Sequence, residues 1–264
     1  RDLVFADPER KIGEIVRTPL TIPPDATLED MENFFDEHDI AAVPVVDHRG
    51  LMLGLVRRRS LLQALADRAE SDSLKAAGII GGDELRSMPV LTRSWRRLSW
   101  LSINIVLNIL AASVIAFYED TLTAVIALAV FLPIVSDMSG CSGNQAVAVS
   151  MRELTLGAAL PRDVLRVWRK EVIVGLINGT ALGALLGFAA WLWKGNAILG
   201  LVVGAALAVN TVIAVSIGGT VPLVLKRFKL DPAVASGPLL TTVTDMCGFF
   251  LLLGLASMVL PSIM

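Results

Sequence analysis

Beyond residue 97 the chain repeats one pattern, a long run of apolar positions closed by a brief polar break. A helix needs roughly 20 apolar residues to cross about 30 Å of hydrocarbon. Five runs reach that length: about Leu98 to Tyr118, Thr121 to Met151, Val172 to Trp193, the uncharged stretch between Lys194 and Lys226, and about Ala233 to Leu260. Upstream the period shortens. Thr21-Ile22-Pro23 reads as extended, and Asp25 or Thr27 is placed to cap a helix through Leu28, Met31, Phe34 and Phe35. Ala41–Val46 predicts a buried strand, His48-Arg49-Gly50 a turn, and Leu51–Val56 a second strand. A second helix begins near Ser60 and includes Leu61, Leu62 and Leu65. The pattern predicts an α-helical membrane protein of five transmembrane helices with a small α/β domain before them.

Composition agrees with that division. The 264 residues are 54% hydrophobic and only 18% charged, with a mean hydropathy of +0.66. Residues 1–97 hold 31 of the 48 Asp, Glu, Lys and Arg, and residues 98–264 hold the other 17. Disorder, a collagenous fibre and a disulfide scaffold are excluded. A net charge of −2 gives no reason to expect nucleic acid. Cys141 and Cys247 both sit in apolar runs, as packing residues do.

Arg93, Arg96 and Arg97 precede the first span; Arg152, Arg162, Arg166, Arg169 and Lys170 follow the second; Lys226, Arg227 and Lys229 follow the fourth. Five spans put all of these on one side, which predicts a cytoplasmic N-terminus and an external C-terminus in the cell inner membrane. Gly175, Gly179, Gly183 and Gly187 recur at spacing four, a stripe that lets two helices approach closely.

An ionised group inside a span is costly and is usually kept for function. Asp245 lies in a small, hydroxyl-rich setting, Thr241-Thr242-Val243-Thr244-Asp245-Met246-Cys247-Gly248. It reads as an ion contact, with a neutral or helix-capping carboxyl as the alternative. The second run carries Pro133, Ser136, Asp137, Ser139, Gly140, Ser142, Gly143, Asn144 and Gln145, and predicts a helix with carbonyls open to a cavity. Asp137 reads equally as a charge near one mouth or as a hydrogen-bonded structural group. Few carboxylates among many neutral oxygens suit Mg²⁺, which gives up its water reluctantly. Both histidines, His38 and His48, lie outside the apolar part, which argues against softer metals.

Two sets of residues carry a family resemblance. Val43-Pro44-Val45-Val46-Asp47…Gly50…Leu53-Gly54-Leu55-Val56 resembles a cystathionine-beta-synthase-type (CBS) motif. Pro133…Gly140…Gly143-Asn144-Gln145…Arg152, with Asp231-Pro232-Ala233…Ser236-Gly237-Pro238-Leu239…Thr244-Asp245…Gly248, resembles the second- and fifth-helix signatures of the MgtE magnesium channels. The resemblance implies a homodimer in the lipid bilayer, with a pore on its two-fold axis lined by helices two and five. It implies Asp245 and Asp231 as metal contacts, with Asn144, Gly140, Asp137, Thr241, Ala148, Gly237 and Thr244 along the path. Mg²⁺ is then the transported ion and a candidate structural one, with no organic cofactor. The expected domains are the tail of a preceding CBS motif (1–17), a CBS-type domain (18–68), a connecting plug-type helix and linker (69–97), and the five-helix region (98–264).

One departure weakens the regulatory part of the resemblance. Where the family places several carboxylates, this chain has Arg59, Ser60, Gln63, Arg68 and Ser71. Clustered cations repel Mg²⁺, so neither the cytosolic sensor nor an adenine nucleotide site is carried over. Other readings are an ion-coupled carrier of the same architecture and a non-transporting membrane regulator. An intramembrane protease, hinted at by Gly140-Cys141-Ser142-Gly143, fails because residues 98–264 contain no histidine to act as base.

Overall fold

The computed structural model describes Lys11 and residues 19–79 and 81–263. The expected remnant of a preceding CBS motif at 1–17 lies, Lys11 apart, outside the described residues. The chain divides between Glu70 and Ser71 into two compact units.

In the first unit, α1 (Leu28–Glu37) starts at Thr27, whose hydroxyl accepts from Asp30 N while the Asp30 carboxylate accepts from Thr27 N. That reciprocal box satisfies two donors that the first helical turn leaves unpaired. Strands β1 (Ala42–Val46) and β2 (Met52–Arg57) pair antiparallel, with Val43 opposite Val56 and an irregularity between Val45 and Val46. Asp47 shapes the turn: its Oδ1 accepts from both Arg49 N and Leu51 N, and Gly50 takes φ +79°. Ile22 adds a parallel bridge beside Val45. Ile22, Phe35, Val43 and Leu61 form the buried centre, with Met31, Phe34, Val45, Val56 and Leu65 packed around it.

Helix α2 (Arg58–Ala76) follows β2 without a break. The expected domain limit at residue 68 therefore falls within a continuous helix. Residues 77–89 are not helical where described. They are fastened to the start of α3 (Val90–Phe117), where Arg93 and Arg97 both donate to Glu84, and Arg96 donates to Asp83. The two guanidiniums, with Arg97 the larger influence, hold the Glu84 carboxyl below the usual glutamate value.

The expected second span, from Thr121 to Met151, is not one helix. It comprises α4 (Glu119–Ala124) and α5 (Leu128–Thr155). Between them Leu128 N, Ala129 N and Val130 N each donate three residues back, to Val125 O, Ile126 O and Ala127 O. Two features favour the break. Val125 and Ile126 are β-branched, and Pro133 has no N–H to give the Ala129 carbonyl. From Leu128 onward the helix runs unbroken through Pro133, Gly140 and Gly143.

Helices α6 (Val164–Lys194) and α7 (Ala197–Arg227) form an antiparallel hairpin. Gly195, at φ +69°, ends α6, and Asn196 Oδ1 caps α7 by accepting from Ile198 N and Leu199 N. The glycine stripe faces this contact. A Cβ at Gly179 or Gly183 would stand 2.5 Å from the carbonyl oxygen of Ala208 or Gly204. Nothing larger than hydrogen fits there. Helix α7 also packs against α5 and α8 (Pro232–Met258), α3 packs on α8, and α9 (Leu260–Ile263) ends the described chain. Leu128, Phe131 and Val135 of α5, Val203 and Leu207 of α7, and Leu252, Leu253 and Ala256 of α8 form the central core.

Among the described residues four helices are long and apolar enough to cross a membrane: α3, α6, α7 and the stretch Gly237–Met258 of α8. Helix α5 is as long as α3 but carries Ser136, Asp137, Ser139, Ser142, Asn144 and Gln145.

Candidate functional site

The polar residues of α5 divide between two opposite faces. Ser136, Ser139, Ser142 and Gly143 are buried against the rest of the chain. Asp137, Cys141, Asn144 and Ala148 recur at helical spacing and are exposed. Gly140 flanks this exposed stripe, and a Cβ on it would reach Thr244 Oγ1 at 3.8 Å. The second run thus presents one face to its own chain and a polar face outward.

On α8, Gly237, Thr241 and Asp245 lie one turn apart along a single face. Gly237 has open space beside it, and Thr241 is exposed with its hydroxyl donating to Gly237 O at 3.0 Å. Asp245 is partly buried within the apolar stretch Gly237–Met258 and accepts a hydrogen bond from Ser136 Oγ of α5. The Asp245 carboxylate is therefore braced by the neighbouring helix while its flank stays open. Thr244 differs from the others. Its side chain is fully buried, and its carbonyl, not its hydroxyl, faces the interior partner Asn210.

Asp231 sits apart, at the N-cap of α8. One carboxylate oxygen accepts from Ala233 N at 3.0 Å, and the other accepts from Lys75 Nζ at 3.0 Å. Lys75 also stands 3.6 Å from Asp72. The hydrogen bond to Asp231 pushes the Lys75 ammonium above its ordinary value. At this end of α8 the chain supplies its own cation.

Among the described residues no three His, Cys, Asp or Glu side chains come together as a metal cluster. Cys141 and Cys247 are free thiols. Ser142 Oγ donates to Met138 O within its own helix, as a structural hydroxyl does.

Three partners were not legible as site residues: Ser136, which holds Asp245, and Ser139 and Asn210, which lie behind it. The serines stood in the polar run, but a helical spacing does not say which neighbour they meet. Asn210 carried one signal, an amide within an uncharged apolar run. Gln145 and Asn178 are another such pair, lining an open cavity of about 340 Å³ between α5 and α6 with Met138, Cys141 and Ser142.

Long apolar helices around a braced carboxylate, with a small α/β unit before them, define a multi-pass helical membrane protein with a polar seam. Residues 132–255 match the MgtE family, described as divalent cation transporter, and residues 12–67 match the CBS domain. The similarity to the MgtE family thus covers just under half of the chain, the part that holds α5 to α8. It is 32% identical over 266 residues to the magnesium transporter MgtE of Bacillus subtilis, covering 100% of this chain and 58% of that relative. It is 31% identical over 265 residues to the magnesium transporter MgtE of Thermus thermophilus, covering 100% and 59%. With the magnesium transporter MgtE of Enterococcus faecalis it shares 30% over 259 residues, covering 98% and 57%. The chain thus spans less than two thirds of the length of these curated relatives.

Proposed function

We propose that two copies of this chain form a Mg²⁺ channel in the cell inner membrane, its path lined by α5 and α8 of both copies. The observation that carries this reading is the placement of Asp245, inside an apolar stretch, braced by Ser136 and flanked by the exposed face bearing Asp137, Asn144 and Ala148. Polar side chains exposed within a membrane span need cover, because lipid offers them no hydrogen bonds. A second copy placed by two-fold symmetry supplies that cover and a second Asp245. Two carboxylates around a largely hydrated ion fit the coordination habit of Mg²⁺. The three relatives named as magnesium transporters support the choice of ion.

In this reading α5 is the fifth span, the least apolar because it faces water. The Lys and Arg distribution places the N-terminus in the cytoplasm and the C-terminus outside. Asn144, Gly140, Asp137, Thr241, Ala148 and Gly237 line the path, while Thr244 lies behind it with its carbonyl held by Asn210. Residues 18–68 act as the CBS-type domain, 69–97 as the connecting segment and 98–264 as the conducting region. Control by cytosolic Mg²⁺ is weak, since arginines stand where carboxylates would collect the ion, and no adenine nucleotide is bound. Asp231 takes a Mg²⁺ only by displacing Lys75.

Mg²⁺ flux into liposomes under an imposed voltage tests the proposal. Wild-type protein conducts without any proton or sodium gradient, and Asp245→Asn lowers the flux at least tenfold while still inserting. Undiminished flux in Asp245→Asn removes the ion assignment, and a strict need for a proton or sodium gradient makes the protein a coupled carrier.

A further inference from the structure

Behind the Ser136–Asp245 pair lies a buried amide that joins three helices. Asn210, on α7, is fully buried. Its Nδ2 donates to Ser139 Oγ of α5 at 2.5 Å and to the Thr244 carbonyl of α8 at 3.0 Å. Ser139 in turn donates to the carbonyls of Val135 and Ser136 at 2.8 and 2.9 Å. One side chain therefore grips the turn of α5 that carries Ser136 and the residue immediately before Asp245.

A separate observation marks this place as built for the amide. Gly248 of α8 faces Asn210, and a Cβ there would stand 2.7 Å from Nδ2. Moreover, Asn210 Oδ1 is buried with no hydrogen-bond partner among the described residues. An unpaired buried acceptor is unfavourable, and an apolar side chain of similar size would avoid it. Packing alone does not account for an asparagine here. Its two donor contacts do.

We infer that Asn210 is a positioning residue for ion discrimination: by tying Ser139 to the Thr244 carbonyl it fixes the spacing of α5 and α8 and so the orientation of the Asp245 carboxylate. The inference rests on the channel reading above. A hydrated dication held through its waters is sorted by the separation of the carboxylates around it, since Ca²⁺ tolerates variable geometry and Mg²⁺ does not. Losing the amide leaves Asp245 in the path, but no longer held at one distance. The change falls on selectivity more than on flux.

The test is the ratio of Mg²⁺ to Ca²⁺ flux in liposomes, for full-length Asn210→Leu, Asn210→Ser and Ser139→Ala, with Asp245→Asn alongside. Asn210→Leu is expected to lower the ratio about tenfold while total divalent flux changes less than threefold. Asn210→Ser, which restores one donor, recovers part of the ratio, and Ser139→Ala, which removes one arm, loses part of it. A purely structural role would lower both fluxes together and leave the ratio unchanged, which overturns the inference. If Asn210→Leu does not yield folded protein, the serine and Ser139→Ala variants decide by the same ratio. Asp245→Asn separates the two claims: if it conducts like wild type, the channel reading fails, whereas lost flux there with a wild-type ratio in the Asn210 variants overturns only the positioning role.

Discussion

Lys75 Nζ stands 3.0 Å from Asp231 Oδ2, joining residues 156 positions apart and fixing the end of α2 to the start of α8. The same carboxylate caps α8 through its other oxygen. Its two tasks separate by substitution. Asp231→Asn keeps an N-cap of comparable quality and loses only the ion pair, at most about 1 kcal/mol for a partly exposed contact. Asp231→Ala loses the cap as well, about 1 kcal/mol more. Chemical denaturation in detergent checks the order; equal losses in the two variants would show that the cap carries no weight.

Ser136→Ala removes the hydroxyl that braces Asp245 but leaves the carboxylate in place. Hydrogen bonds to charged groups contribute roughly 1.5–3 kcal/mol, so Mg²⁺ flux is expected to fall roughly ten- to hundredfold without vanishing. Threonine, which keeps the donor, recovers most of it. An alanine variant that conducts like wild type would mean that Asp245 needs no brace.

The contact of α6 with α7 leaves no room for a methyl group at Gly183, where a Cβ would meet Gly204 O at 2.5 Å. Gly183→Ala must push the two backbones apart, and overpacking of this kind costs roughly 1–3 kcal/mol. Gly237→Ala is the contrast, because nothing lies within 4 Å of its would-be Cβ and alanine is the better helix former. Thermal unfolding in detergent should fall for the first and hold or rise for the second.

Glu84 gives a pH dependence with a defined sign. Its carboxyl is held below the ordinary 4.5, chiefly by Arg97 and then by Arg93. A depressed carboxylate stabilises fully above its unfolded value and stops doing so as pH falls through its folded value. Glu84→Gln should therefore be less stable than wild type at about pH 7. The difference should close at pH below the ordinary glutamate value. A difference that grew as the pH fell would reverse the assignment.

Much of this was legible in the chain because its causes are local. The capping box at Thr27, the Gly50 turn, the two strands and the glycine stripe each follow from neighbours a few positions apart. What was not legible has two origins, local backbone chemistry at the break between α4 and α5 and tertiary contact elsewhere. Apolarity alone joins Thr121 to Met151, whereas the helix breaks at Val125–Ala127. The polar run marked α5 as unusual, but not which partners its serines would find within their own helix and on α7 and α8. The pairing of Asp231, expected as a metal contact, with Lys75 was not legible because the two are remote in sequence.

The glycine seam has a mechanical corollary. Two helices in backbone contact over several turns have no side-chain cushion to shear, so α6 and α7 form a single stiff girder. Any widening of the passage must then come from α5 and α8 sliding on that girder. The pivot of such sliding is the place where α7 reaches both of them through one amide.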